Sequence, residues 1–163
     1  MESFSECPHR SPVAISDFVK DIIKDKKVCE LGCAEGDNMV FMSRYAKEVI
    51  GLEYDDLRLN VAIQRGLNVF KGDYYKDKLP SADVYYFWPN DGVRDNEFLV
   101  DKIYSDDEFT GTIIVAGDTG FPPEPPVVKR CAEKWGGTIE KVEFYEGAGE
   151  RQNGSFILAI IKK

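Results

Sequence analysis

Short β-branched and aromatic runs alternate with helical patterns along most of this chain. That alternation constrains the fold more than any other feature, because it asks for parallel strands joined by crossover helices. Strands are expected at 28–31, 49–53, 67–71, 83–88, 111–117, 138–145 and 155–161, with helices at 16–25, 38–46, 56–65, 95–104 and 125–135. The first helix has a capping-type start at Ser16 and sets Phe18, Val19, Ile22 and Ile23 on one face to pack on the sheet. The stretch 73–80 reads as a turn. After Trp135 the alternation stops, and two strands follow one another across the Gly-rich stretch 146–154, which predicts a terminal antiparallel hairpin. The run 156–161 is almost wholly apolar, as a strand buried on both faces and inserted between neighbours must be.

The 163 residues suit one domain spanning 1–163, with 43% hydrophobic and 31% charged side chains, a globular balance. A formal net charge of −8 is the wrong sign for holding nucleic-acid phosphates on a basic face, so no nucleic-acid partner is expected. No apolar run approaches the roughly 20 residues of a membrane helix, and residues 1–10 are polar, so a cytoplasmic location is expected. Cys7, Cys29, Cys33 and Cys131 lack paired spacing, which argues against a disulfide framework; Cys7 and His9 are too isolated to make a convincing metal site.

The segment 28–38 carries the chemistry: a strand runs into a Gly-containing turn and then a helix, where backbone N–H groups approach a ligand. A dinucleotide fingerprint wants G-x-G-x-x-G, but the three places read Gly32, Ala34 and Asp37. Asp37 beside Glu30 and Glu35 would repel a pyrophosphate, so a cationic ligand fits better. Glu53 ends the second strand about 20 residues beyond Gly32, where a carboxylate accepts from both hydroxyls of an unphosphorylated ribose. Gly72-Asp73 follows the third strand, with an acceptor for an adenine amino group. An adenosyl group bearing a sulfonium and a free amino group, S-adenosylmethionine, satisfies these acids together.

Glu30-Leu31-Gly32-Cys33-Ala34-Glu35-Gly36, Val49-Ile50-Gly51-Leu52-Glu53 and Gly72-Asp73 resemble, in sequence and separation, a minimal class I S-adenosylmethionine-dependent methyltransferase. The likeness extends over nearly the whole chain, with Ala34 standing where the family usually carries a second Gly. It implies a Rossmann-like, mostly parallel seven-stranded α/β sheet of order 3-2-1-4-5-7-6, with helices on both faces and a C-terminal hairpin. It also implies that Glu30, Gly32, Cys33, Ala34, Gly36 and Asn38 shape the methionine pocket, that Glu53 and Tyr54 hold the ribose side, and that Asp73 and Tyr74 hold the adenine. Residues 1–25 would cover the cofactor. Plainer roles compete: Gly32 and Gly36 as a tight turn, Glu53 as a solvated strand-end acid, Asp73 as a helix cap.

On the acceptor side the fourth strand runs into Trp88-Pro89-Asn90-Asp91, where aromatic rings can surround an ammonium or a sulfonium. Trp88, Asn90 and Asp118 are the catalytic candidates, against core packing for Trp88 and a turn for Asn90. Phe-Trp-Pro-Asn is not the Asn-Pro-Pro-aromatic motif of amino-methylating nucleic-acid enzymes. Arg10-Ser11-Pro12, the 83–89 strand end and the 111–123 segment, with Asp118 and Phe121-Pro122-Pro123, resemble the small protein lysine methyltransferases related to those acting on the ATP synthase c-subunit. That resemblance implies a lysine ε-amino acceptor; a small-molecule amine is the alternative, and the amine's proton is expected to pass to Asp91, Asp118 or solvent, or to His9 if residues 1–10 fold over the pocket. A non-catalytic binding module and, more remotely, a dinucleotide oxidoreductase are the alternatives.

Overall fold

In a computed structural model of the chain, the residues described are 11–88, 93–118, 126–146 and 152–163. The elements run α1 (Ser11–Ile23), β1 (Lys27–Leu31), α2 (Asp37–Met42), β2 (Glu48–Glu53), α3 (Asp56–Gln64), β3 (Val69–Lys71), β4 (Val84–Phe87), α4 (Val93–Tyr104), β5 (Thr112–Asp118), α5 (Pro126–Trp135), β6 (Thr138–Glu146) and β7 (Gln152–Lys162). They build one seven-stranded sheet of order β3-β2-β1-β4-β5-β7-β6, as the family resemblance implied. Strands β1 to β5 pair in parallel, and β7 inserts antiparallel between β5 and β6.

Alternate residues of each strand divide the core between the two faces of the sheet. Cys29 and Leu31 of β1, Tyr85 and Phe87 of β4, and Ile113 and Val115 of β5 pack with Leu99, Val100 and Ile103 of α4 and Val128, Cys131 and Ala132 of α5. Val28, Val84, Tyr86, Ile114 and Ala116 face the other way, onto Ile15, Val19 and Ile23 of α1 and Met39 and Met42 of α2. The apolar run of β7 is buried throughout from Phe156 to Ile161. Cys29, Cys33 and Cys131 are buried free thiols.

Three local readings are corrected. Helix α1 begins at Ser11, not Ser16; Ser16 is interior and its hydroxyl donates back to the Pro12 carbonyl at 2.8 Å. The buried stripe of α1 is therefore Ile15, Val19 and Ile23, one turn apart, and Phe18 is exposed. Helix α2 stops at Met42 after six residues, so it adds little macrodipole to the preceding turn. Strand β3 is three residues at the open edge of the sheet, its Phe70 exposed. The 73–80 stretch is turn and irregular chain, as expected.

Gly111 lets two backbones approach before β5: the Thr112 N–H donates to the Asp83 carbonyl at 3.0 Å, and a Cβ on Gly111 would stand 1.8 Å from that oxygen. Gly111→Ala is expected to lower the unfolding free energy by about 1–3 kcal/mol or more, read as a lower urea midpoint with an unchanged slope; an unchanged midpoint would contradict the packing described.

Candidate functional site

Strand β1 pairs with β2 on one side and β4 on the other, so the chain reverses direction across the sheet between β1 and β4. Open α/β sheets bind ligands outside the carboxyl ends of strands at such a switch point. A two-lobed crevice lies there. The larger lobe, about 410 Å³, is walled by Glu53, Tyr54, Asp73, Tyr74, Tyr75 and Leu99. The smaller, about 350 Å³, is walled by Pro12, Glu30, Cys33, Ala34, Asp37 and Asn38. Gly32, Arg58 and Trp88 line both. A third cavity of about 420 Å³ at the opposite end of the sheet, with Lys26, Asp83, Glu108 and Lys162 in its wall, is as large, so volume alone does not choose.

Buried charge chooses. The only buried polar side chains among the described residues are Ser16, Glu30 and Glu53, and the two acids stand at or next to the ends of adjacent strands β1 and β2, in the crevice. A carboxylate removed from water is costly unless something is arranged to meet it.

The turn after β1 explains how Glu53 is met. Gly32, Ala34 and Gly36 adopt φ of 71°, 51° and 88°, a left-handed path that brings the loop back over β2. The Gly32 and Cys33 N–H groups both donate to the Leu52 carbonyl, at 2.8 and 3.1 Å. The Ala34 N–H donates to Glu53 Oε2 at 2.7 Å, while Tyr54 and Asp55 N–H donate to Oε1 at 2.9 and 2.8 Å. Glu53 is thus no solvated strand-end acid. Close packing also fixes two glycines: a Cβ on Gly36 would lie 2.2 Å from Leu67 Cδ1, and one on Gly51 would lie 2.6 Å from both Cys33 Sγ and Met39 Sδ.

Glu30 is less completely met. Its Oε1 accepts from Asn38 Nδ2 at 2.9 Å, but Oε2, Asn38 Oδ1 and the Tyr86 hydroxyl are buried without a hydrogen-bond partner among the described residues. Burial is the main force on its carboxyl; the Asn38 amide opposes it, and the charges of Asp37 and Glu53 add to it, leaving the pKa pushed up to about 8. The Cys33 thiol beneath is likewise raised by burial and by Glu30 and Glu53.

Other expected groups behave differently from their sequence reading. Asp37 lines the smaller lobe, but its Oδ1 is paired with Arg65 Nη1 at 2.6 Å, so it is not an uncompensated acid facing the ligand. Asp73 borders the larger lobe, yet its Oδ1 caps the following turn by accepting from Tyr75 N at 2.9 Å. Tyr54 is exposed on the rim, and Tyr74 stacks obliquely on Tyr75 with centroids 4.8 Å apart. Trp88 combines both of its readings: its ring packs on Phe156 at 5.9 Å and walls both lobes. Asp118 ends β5, its side chain outside the described set, and Cys7, His9, Asn90 and Asp91 lie outside the described residues altogether. Arg58, missed in the sequence, enters from the first turn of α3, which Asp55 caps by accepting from Arg58 N at 3.0 Å. Its place five residues past Glu53 was the available signal.

Comparison with known proteins agrees with this geometry. A family model described as methionine biosynthesis protein MetW matches residues 14–86, from α1 through most of β4. Comparison with curated protein sequences gives no match. Among solved structures, an S-adenosylmethionine-dependent methyltransferase of Thermotoga maritima superposes with a TM-score of 0.67 at 19% identity, covering 94% of this chain and 89% of that one. A Pyrococcus horikoshii protein provisionally described as an RNA methyltransferase gives 0.68 at 17% identity, covering 91% and 81%. Precorrin-6y C5,15-methyltransferase of Geobacter metallireducens gives 0.66 at 15%, covering 91% and 86%. The chain has the class I S-adenosylmethionine-dependent methyltransferase fold. Within that fold the acceptors of these neighbours range widely, and the net charge of this chain does not exclude nucleic acid from the class I repertoire. No helix among the described residues is long and apolar enough to cross a membrane.

Two measurements check the site as described. A non-Gly residue in the left-handed region costs roughly 1 kcal/mol, so Ala34→Gly should raise the melting temperature or leave it unchanged. Glu30 holds its proton in the folded state up to about pH 8, against an ordinary value of 4.5. Its contribution to stability is therefore full below the ordinary value and declines toward pH 8, by up to about 1.4 kcal/mol per pH unit. Glu30→Gln should remove that slope; parallel stability curves for the two proteins from pH 5 to 9 would refute the assignment.

Proposed function

We propose that the crevice binds S-adenosylmethionine and that the protein transfers its methyl group to an amine-type acceptor. The observation that supports this reading best is the pair of buried carboxylates on adjacent strands, one of them with an unmatched oxygen. A ligand with an ammonium at one end and a ribose diol at the other matches the pair.

On this reading Glu30, Gly32, Cys33, Ala34, Gly36 and Asn38 hold the methionine half in the smaller lobe, with Pro12 and the rest of residues 1–25 as its cover. Glu53, Tyr54, Asp73 and Tyr74 hold the adenosine half in the larger lobe. Glu53 keeps lone pairs for the ribose because a carboxylate has about four acceptor positions and the backbone takes three. When bound, S-adenosylmethionine supplies a methyl group on a sulfonium, open to in-line attack. The chain contributes positioning and exclusion of water, which provide most of the acceleration in such a transfer. Trp88, at the junction of the lobes, offers a π face to an amine as it gains positive charge. Asn90, three residues past the end of β4 in the sequence, and Asp118, the last residue of β5, are the remaining catalytic candidates. The whole of 1–163 serves as one domain in the cytoplasm, and its acceptor is a small molecule or a protein lysine.

Calorimetric titration with S-adenosylmethionine and S-adenosylhomocysteine tests the cofactor first. Glu53→Gln should weaken both by roughly 10- to 100-fold, the worth of a hydrogen bond to a charged group. Release of S-adenosylhomocysteine with amine acceptors should then follow. Tight cofactor binding without turnover on amines, lysine peptides or RNA would replace the enzyme with a binding module, and tighter binding of NAD would overturn the reading altogether.

A further inference from the structure

Glu30 on β1 lies directly opposite Tyr86 on β4 in one parallel pair and opposite Gly51 on β2 in the other. Strand alternation points Glu30 to the same face as Val28 and Tyr86, the face covered by α1 and α2. Gly51 presents no side chain there, so the Tyr86 ring is the side-chain neighbour of the Glu30 carboxyl within its row of the sheet. Tyr86 is fully buried and its hydroxyl has no partner among the described residues. Phenylalanine would fill the same space without an unmet hydroxyl, whose burial costs roughly 1–3 kcal/mol.

The polar accounting around Glu30 is unbalanced in a consistent direction. Once Glu30 is ionised, its Oε2 and Asn38 Oδ1 are acceptors without a partner among the described residues, and the Tyr86 O–H, on the same face of the sheet and close enough to feel the Glu30 charge, is a buried donor without one. A primary ammonium brings three N–H groups to such a deficit, whereas a neutral thioether nucleoside brings none. We propose that Tyr86 is a positioning residue for Glu30: its hydroxyl donates to the carboxylate when a primary ammonium occupies the smaller lobe, so the acid is held ionised and oriented toward that cation.

This rests on the cofactor reading above and goes beyond it, because Tyr86 touches neither lobe and acts through Glu30. The surroundings leave that role to Tyr86. Asp37 on α2 is compensated by Arg65 from the end of α3, Glu53 on β2 is satisfied by three backbone amides, and Arg58 stands in the wall of the lobe. Helix α1 brings Pro12 to the lobe. Burial and the nearby Glu30 hold the Tyr86 phenol well above its ordinary 10, so it remains a donor through the neutral range. The charge balance is simple: as the ammonium enters, Glu30 releases its proton to solvent, and no other group changes protonation.

The test is Tyr86→Phe, with S-adenosylmethionine and methylthioadenosine titrated calorimetrically from pH 6 to 9 and the Glu30 carboxyl followed by ¹³C NMR without ligand. The variant should fold with equal or higher stability. It should bind S-adenosylmethionine about tenfold more weakly at pH 7, need a higher pH to reach its full affinity, and bind methylthioadenosine as the wild type does. The ligand-free Glu30 midpoint should also rise. Equal weakening for both ligands would mark a purely structural role and overturn the assignment, as would an unchanged affinity, pH profile and Glu30 midpoint. Wild-type protein that binds methylthioadenosine but not S-adenosylmethionine, or neither, would remove the cofactor reading and the role of Tyr86 with it.

Discussion

The glycine loop keeps its shape because a single carboxylate ties it down. Glu53 accepts the Ala34 amide across the gap between β1 and β2, and the two amides that follow it in its own chain. Hydrogen bonds to a charged group are worth about 1.5–3 kcal/mol each, enough to hold Ala34 at a φ of 51° that only glycine adopts freely. Gly51 supplies the complementary absence: with no Cβ, β2 lets Cys33 and Met39 settle against it, and the loop lies flat over the strand ends. The common wall of the two lobes follows from these contacts, since Gly32, which begins the loop, is exposed to both.

What could be read in the sequence follows the reach of its patterns. Period-two apolar runs and the continuous stretch before Lys162 placed the strands, and the interruption of alternation after Trp135 placed the terminal hairpin. The spacing of Gly32 and Glu53 located the crevice, because both are anchored to strand ends whose separation is set by one crossover helix. Periodicity carries no information about partners, and there the reading fell short. Asp37 looked like a free acid because Arg65 is 28 residues away and meets it only once α3 has packed. No periodicity relates Tyr86 to Glu30, because that relation exists only in the register of β1 against β4. The start of α1 was misplaced because a serine that bonds back into a helix and one that caps it are the same letter.

The acceptor side shows the same division from another angle. Trp88 packs on Phe156 and lines both lobes, so its two roles are not exclusive: the edge of the core is the wall of the crevice. Strand β4 ends there at Phe87, one residue before Trp88, and the neighbouring β5 ends at Asp118. The same sheet in related structures serves a precorrin methyltransferase and a protein provisionally assigned to RNA. One sheet thus serves different chemistries in different proteins, and bulk composition has little bearing on which.

The two ends of the crevice also differ in what they cost when nothing is bound. The Glu53 end is satisfied by backbone and stable as it stands. Around Glu30, three polar atoms are buried without partners among the described residues, and each such atom subtracts from folding free energy. A ligand that supplies the missing donors stabilises the folded state by its full binding linkage, which grows as the logarithm of its concentration over its dissociation constant. Two of those atoms belong to Glu30 and Asn38, which wall the smaller lobe, so a ligand there acts directly on this corner of the molecule. The larger lobe is walled in part by Leu31, Phe87 and Leu99, which belong to the core on the α4 and α5 face, so occupancy of the whole crevice bears on both faces of the sheet.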